Sequence, residues 1–403
     1  MTQLYIFNPE NDLALANGCR NYYPPPAARQ IARDLALLPL WYSADNAVVV
    51  VPECPDAAFV EKAAERFGIR HRIAVRSKFR GAPYVTECVP WGWSPYVVKR
   101  FTDMGISSAI LPSQEGISWY RELSNRKSAI RILQSLKRKG LDVPEPLPDY
   151  AGSVEDAMRF VETFPRSVLK APWSGSGHGL VWGRGMRERS VEQLCRGIIN
   201  RQGGIVCEKA LDKVADFAME FDAGKDGVEF AGYSLFRTDE KGVYQGNLLA
   251  DDTYIENLLC RYIRKEYLFS LRQAMAEVSG GILGGNYRGV FGVDMMIYDD
   301  AGVYRINPCV ELNLRMSMGA LARVFYDRYV AVGVAGRLDI LYFDKPGEAV
   351  RYVENAAAEY PATIEGRRLV SGVLPLVPVA EDTGYVALAR CGTAVSELQE
   401  FSV

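Results

Sequence analysis

The sequence predicts an α/β and α+β multidomain protein, on three observations. The opening stretch alternates short apolar strands with amphipathic helices, the order of a small α/β unit. Near residue 175, glycines recur at every second position between two short apolar strands. Beyond residue 205 the pattern turns strand-rich and closes on Glu311-Leu312-Asn313-Leu314-Arg315, where polar and apolar residues alternate. A chain of 403 residues is about twice the usual single-domain length, so two or three packed units are expected. Divisions fall at 1–120, 121–207, 208–335 and 336–403.

The first unit reads as the strand Leu4-Tyr5-Ile6-Phe7, a helix over Ala27–Leu38, the β-branched run Ala47–Val51 and a helix over Asp56–Phe67. Pro24-Pro25-Pro26 stands where a helix entry tolerates a missing N–H. After Ser124-Asn125, which offers an N-cap, Ile130, Leu133 and Leu136 recur at roughly helical spacing. The basic residues Arg126, Lys127, Arg131, Lys137, Arg138 and Lys139 lie on its other faces and are read as solvated, with Lys127 the exception. Pro144, Pro146 and Pro148 make an extended connector. There follow a helix near Val154–Phe164, a strand, loop and strand over Ser167–Trp182, a helix near Val191–Ile199, strands from Ile205, and a helix over about Glu256–Val278. Two further strands and a helix after Met318 complete the pattern, and the tail beyond about residue 335 mixes helix with short strands.

Composition excludes several classes. Lys plus Arg number 47 against 49 Asp plus Glu, so a net charge of −2 supplies no field to draw nucleic acid or an anionic membrane, and neither partner is expected. Residues Met1 to Asn8 lack the basic start and long apolar stretch of a signal peptide, and no apolar run is long enough to cross a bilayer; a cytoplasmic location is expected. The eight cysteines are scattered without a CxxC pair and only two histidines occur, which argues against a disulfide framework or a zinc site.

Two segments carry chemistry. In Lys170-Ala171-Pro172-Trp173-Ser174-Gly175-Ser176-Gly177-His178-Gly179 the glycines let the loop wrap closely and present N–H groups to phosphate oxygens. The spacing is neither a dinucleotide fingerprint nor a Walker loop, since a strand follows and no GK[ST] occurs. Lys170, ending the leading strand, places an ammonium where phosphate charge would need offsetting. In the second segment, strand alternation puts Glu311, Asn313 and Arg315 on one face within about 14 Å. Val290–Tyr298, turning at Asp299-Asp300-Ala301-Gly302 and returning through Val303–Ile306, forms a hairpin that brings Asp294 toward that face. Hard oxygen donors of this kind suit Mg²⁺; a Glu311–Arg315 salt bridge is the competing reading.

In order, Lys127, the Lys170 glycine loop, Glu208-Lys209 after the apolar Ile205-Val206-Cys207, Asp294 and the ExNxR run resemble the ATP-grasp superfamily, to which D-alanine-D-alanine ligase, biotin carboxylase and glutathione synthetase belong. The resemblance spans about residues 120 to 320, and the first unit looks like the domain that usually precedes the grasp. It implies a pre-ATP-grasp-like α/β domain, a small subdomain with a glycine-rich lid (121–207), a large subdomain with the metal site (208–335) and a C-terminal extension. By the same resemblance Lys127 and Lys170 contact ATP phosphates while Ser174, Gly175, Ser176, Gly177, His178 and Gly179 close over them. Cys207, Glu208 and Lys209 form the hinge whose main chain pairs with the adenine edge. Asp294, Glu311 and Asn313 hold Mg²⁺ (or Mn²⁺), and Arg315, Lys170 and Arg288 are the cations at the reacting groups. The interval from Asp294 to Glu311 is longer than family members usually show, so either a bulge at Asn307-Pro308 absorbs the excess or Asn307 is itself a ligand.

The loop after the first strand carries Glu10, Asn11 and Asp12, a substrate site if ligands gather at the carboxyl ends of strands, or a turn and helix cap otherwise. The activity implied is an ADP-forming, Mg-ATP-dependent ligase joining a carboxylate to an amine or thiol through an acyl phosphate. Phosphoryl transfer to a hydroxyl, and nucleotide binding without turnover, are the alternatives. A homodimer is compatible with this reading, and the substrate itself is not legible.

Overall fold

The structure is a computed structural model, and it describes residues 2–54, 56–79, 82–175, 179–183, 188–239 and 242–392. The N-terminal unit runs β1 (Gln3–Ile6), α1 (Asn11–Asn17), α2 (Pro26–Asp34), β2 (Val48–Val51), α3 (Ala57–Phe67), β3 (Arg72–Val75), β4 (Glu87–Pro90) and α4 (Pro95–Asp103). Its sheet, ordered β3-β2-β1-β4, is parallel throughout. α2 stops at Asp34, short of the expected Leu38, and Pro39 sits in the tight 3-10 turn Leu38–Trp41 because it has no N–H to continue an α-helix.

Next come α5 (Gln114–Leu123) and α6 (Lys127–Arg138). The expected division at 120/121 therefore falls inside a helix. Ile132, Leu133 and Leu136 of α6 and Tyr120 of α5 share one core with Phe217, Met219 and Val293 of the large sheet, so α6 packs with the large subdomain rather than the small one. The small unit consists of β5 (Asp149–Ala151), α7 (Val154–Thr163), β6 (Ser167–Lys170), β7 (Leu180–Trp182), α8 (Glu188–Gln202) and β8 (Ile205–Lys209). Its strands are ordered β5-β8-β6-β7. Lys209 still pairs with Ser167, so this unit ends after β8 and not at 207/208.

The large sheet is built from β9 (Asp212–Ala223), β10 (Val228–Thr238), β11 (Tyr244–Leu249), β12 (Gly289–Asp300) and β13 (Val303–Asn313), with α9 (Asp252–Leu259), α10 (Lys265–Leu283) and α11 (Met318–Tyr329) between and after them. The single helix expected over 256–278 is two: Asp251 caps α9 by accepting from the Tyr254 N–H at 2.7 Å, and the chain turns before Lys265. The chain continues through β14 (Gly336–Tyr342), α12 (Glu348–Glu359), β15 (Thr363–Glu365), β16 (Arg368–Pro375) and β17 (Tyr385–Cys391). These last strands extend the same nine-stranded sheet, ordered β13-β12-β9-β10-β11-β14-β17-β16-β15, so the stretch from 336 is continuous with it. Phe7, Trp41 and Val49 of the N-terminal unit share a core with Phe325 of α11 and with Leu338 and Ala389. That shared core seats the carboxyl ends of β1 and β4 beside the start of α11.

The β12–β13 hairpin turns at the expected place. Ala301 and Gly302 both have positive φ, 54° and 88°, as a two-residue turn matched to strand twist requires. Among the described residues no helix is long and apolar enough to cross a membrane.

Candidate active site on the polar face of the large sheet

Alternation along β12 buries Phe291, Val293 and Met295 in the core and turns Gly292 and Asp294 to the opposite face. Asp294 stands directly across from Glu311, and Met296 pairs with Asn307. Pro308, Cys309 and Val310 therefore oppose Met295 alone, a bulge that absorbs the long interval between the two carboxylates. Pro308 suits it because it withholds no ladder donor. Asn307 is 2% exposed and its Oδ1 accepts from the Cys309 N–H at 3.3 Å, so its side chain serves the bulge.

The carboxylates here are crowded. Burial, and then Glu311, push the Asp294 carboxyl up to about 7, against a hydrogen bond from the Asn313 side chain. Sequence reasoning missed a further acid, Glu220 on β9, which is 1% exposed. Burial, and then Asp294, raise it to about 8. Its Oε1 accepts from Ser317 Oγ at 3.0 Å, and its Oε2 has no hydrogen-bond partner among the described residues. A Cβ on Gly292 would lie 2.6 Å from that Oε2, and one on Gly319 would lie 2.2 Å from Oε1, so two glycines make the room Glu220 occupies. The signal available in the sequence was parity: Ala218 pairs with Asp294 and Glu220 with Gly292, which puts both on the polar face of β9.

Cations meet these acids from three directions. Arg126, just ahead of α6 and 6% exposed, donates through Nη2 to Glu311 Oε2 at 2.8 Å and through Nη1 to the Ala171 carbonyl at 2.9 Å. It also bonds the hydroxyl and the carbonyl of Ser174, so one guanidinium ties the base of the glycine loop to the strand that carries Glu311. Lys170, ending β6, holds Glu208 of β8 at 2.6 Å in a buried pair. The buried Cys309 thiol feels Asp294, Glu208, Glu311 and Lys170 together, which places this pair alongside the strand carboxylates. Arg315, two residues past β13, reaches Asp12 of α1 with Nη2 at 2.8 Å. Burial disfavours the Arg315 charge, yet Asp12 outweighs it and the guanidinium is held above its ordinary pKa. The Glu311–Arg315 bridge is not formed; each residue has another partner.

The remaining expected residues separate. Lys127 pairs with Glu122 at 2.9 Å, its side chain 35% exposed and its ammonium 5.7 Å from the Tyr150 ring centre. Of the N-terminal trio, Asp12 alone comes to the polar face, and a Cβ on Gly175 would lie 2.9 Å from its Oδ2. Asn11 is buried and, with its amide nitrogen turned inward, donates to the carbonyls of Gly92 and Trp93 at 3.0 and 3.1 Å. Glu10 is buried against Arg100 at 3.1 Å. The Met316 N–H donates to the Trp91 carbonyl at 2.8 Å, pinning the Arg315 segment to the end of β4. Cys207 lies between Asp149 and Leu169 in the sheet, so its main chain is committed there and the turn between the two sheets begins after the exposed Lys209. Arg288 is exposed ahead of β12 and makes no ion pair among the described residues. Ser176, Gly177 and His178 lie outside the described residues; Ser174, Gly175 and Gly179 lie within them.

The donor set suits a hard divalent cation. Asp294 and Glu311 oppose one another and the Asn313 amide bonds Asp294, so hard oxygen donors whose mutual repulsion a cation would relieve stand together, although among the described residues no group of three or more acidic, histidine or cysteine side chains is gathered as a metal site.

A parallel-sheet domain, a small four-stranded sheet and a large antiparallel sheet meeting at this polar face make up the ATP-grasp fold. No family model matches the chain, and no curated protein matches it in sequence. Solved structures match it in fold. N5-carboxyaminoimidazole synthase from Aspergillus clavatus, solved with ADP and an aminoimidazole ribonucleotide, is 12% identical over 90% of this chain and 97% of its own, with a TM-score of 0.52. N5-carboxyaminoimidazole ribonucleotide synthetase from Thermus thermophilus is 13% identical over 100% and 96%, with a TM-score of 0.52. Biotin carboxylase from Campylobacter jejuni, solved with an ATP analogue, is 12% identical over 97% and 87%, also at 0.52.

Proposed function

We propose that the chain is a Mg²⁺- and ATP-dependent, ADP-forming ligase that activates a carboxylate as an acyl phosphate and passes it to an amine or thiol. The observation that carries this reading is Arg126, a buried guanidinium shared between the base of the glycine loop and Glu311. A single side chain joining the glycine loop to the Glu311 strand supports reading the two as one nucleotide and metal site. The neighbours of this fold solved with ADP or an ATP analogue support the same reading.

In this reading Lys170 and Lys127, with the N–H groups of the loop from Ser174 to Gly179, take the nucleotide phosphates. The turn after Lys209 offers main-chain groups to the adenine edge, with Cys207 and Glu208 supporting it from β8. Asp294, Glu311 and Asn313 hold Mg²⁺ (or Mn²⁺), which supplies charge neutralisation of the transferring phosphoryl group. Arg315 faces the reacting carboxylate and Asp12 orients it; Arg288 is a candidate for an outer phosphate contact. Glu10 and Asn11 shape the loop that presents Asp12. The residues need only position and stabilise, because the substrate carboxylate is the nucleophile toward the γ-phosphate.

The test is an ATP-turnover screen against pools of amino acids, short peptides and hydroxy acids, scoring ADP against AMP. ADP that forms only when a carboxylate and an amine or thiol are both supplied supports the ligase. ADP formed with a hydroxyl acceptor alone replaces it with a kinase, and no stimulated turnover with any pool sinks it.

A further inference from the structure

The N-terminal unit contains a cavity of about 830 Å³, in the range that small-molecule sites occupy, which the reading above does not use. It lies among the loop after α1, the end of β3 and the outward side of α4, and its walls include Arg20, Tyr22, Arg76, Tyr96, Lys99 and Arg100. The chain as a whole carries a net charge of −2, so four cations on one cavity are a local feature. Lys99 is taken up by Asp103 at 2.6 Å and Arg100 by Glu10 at 3.1 Å. Arg20 and Arg76 make no ion pair among the described residues, which leaves two guanidinium groups in excess.

The wall behind these groups is incompletely satisfied. Glu10 is 3% exposed and, among the described residues, its Oε2 and the Nε of Arg100 on the cavity wall have no hydrogen-bond partner. Arg100 Nε is enclosed in that wall, so the donors open to a ligand are the guanidinium groups of Arg20 and Arg76, whose forks suit a planar or tetrahedral oxyanion. The aromatic walls add a second requirement. Tyr22 and Tyr96 meet edge to face at 5.8 Å, and Arg100 lies over the Tyr96 ring at 5.6 Å, so the site also offers flat apolar surface. Glu10 precedes α1 as its N-cap residue and Asp12 lies in its first turn, and the two side chains take different partners. Glu10 backs this cavity while Asp12 reaches Arg315, and the first turn of α1 separates the two.

We propose that this cavity is a binding site, separate from the nucleotide site, for a small organic oxyanion carrying a planar group. Phosphomonoesters and carboxylates share that chemistry, and probes distinguish them. Purified wild-type protein in 0.15 M salt, without nucleotide, is titrated calorimetrically with phenyl phosphate, benzoate and inorganic phosphate, at about the physiological ionic strength that screens diffuse surface attraction. One-to-one saturable binding is expected for at least one aromatic probe, about tenfold or more tighter than for inorganic phosphate. The tighter of the two aromatic probes names the oxyanion. Arg76→Ala, at an exposed position, should weaken binding about tenfold or more, as loss of a charge-assisted hydrogen bond does; Arg20→Ala, also at an exposed position, is the second such variant. Glu311→Gln should leave probe affinity unchanged, and Mg-ATP should not displace the probe. Absence of saturable binding, affinity indifferent to both arginine variants, or displacement by Mg-ATP overturns the proposal. Because nucleotide is absent from the first titration, failure of the ligase reading would leave this result standing.

Discussion

The Arg315 guanidinium holds the Asp12 carboxylate with Nη2 at 2.8 Å and Nε at 3.2 Å, joining the end of the polar strand to the first helix across 303 positions of chain. Both side chains are mostly buried, at 16% and 21% exposure. Arg315→Ala should lower kcat about 10²–10³-fold, as loss of one preorganised donor does. Asp12→Asn should leave the affinity for a non-hydrolysable ATP analogue nearly intact and raise KM for the carboxylate. The double variant should be non-additive by about 0.5–3 kcal/mol in kcat/KM; strict additivity would mean the contact has no part in turnover.

Arg126 offers a sharper test of the site's assembly. In Arg126→Met the loop base loses its tether and Glu311 loses its ion partner at 2.8 Å. ATP-analogue affinity should fall about tenfold or more, while Mn²⁺ alone should bind more tightly because Glu311 is no longer neutralised. Paired titrations read both. Unchanged nucleotide affinity would remove Arg126 from the phosphate side.

Lys170 and Glu208 are a buried pair at 9% and 11% side-chain exposure. Glu208→Gln alone leaves an ammonium without its counter-charge, and Lys170→Met alone a carboxylate, each costing about 3–5 kcal/mol. Lys170→Met with Glu208→Gln should recover part of that stability in urea denaturation and yet stay inactive. A double variant no more stable than the singles would argue against charge isolation as the cause.

Asp294 and Glu220 keep their protons to about pH 7 and about pH 8. The unfolded chain releases them near pH 4. Between those values the folded state binds more protons, so stability falls as pH rises through that window and levels off above it. Divalent-ion binding at pH 6 should then release protons that it does not release at pH 9. Calorimetry in buffers of different ionisation enthalpy measures the release, and Asp294→Asn should reduce it; an undiminished release would move the titrating group elsewhere.

Gly319→Ala tests the pocket that holds Glu220. The added methyl would meet Glu220 Oε1 at 2.2 Å and Ser234 Oγ at 2.4 Å, so a destabilisation of about 1–3 kcal/mol is expected by thermal or chemical unfolding. Gly281→Ala, in open space on α10, should be neutral or stabilising. Equal effects at the two positions would show that crowding is not what glycine 319 relieves.

Much of the strand and helix order, the turn at Ala301-Gly302 and the shared face of Glu311 and Asn313 were legible in the sequence, because they follow from backbone periodicity and local conformational preference; α1, β3, β4, α4, α5 and the break between α9 and α10 were not. The bulge at Asn307-Pro308 was legible for the same reason, as a proline and an over-long interval in one strand. The choice of ion partners was not. Arg126 and Lys127 are adjacent and alike in charge, yet consecutive residues at a helix start diverge by about 100°, so one is buried on Glu311 and the other lies beside Glu122. Glu10, Asn11 and Asp12 form one polar cluster in sequence and three separate environments in space, decided by α4, by the Gly92 turn and by Arg315. Local periodicity says which side of an element a residue takes. Which charge it meets there depends on what the folded chain packs opposite, and for Asp12 that partner comes from 303 residues away.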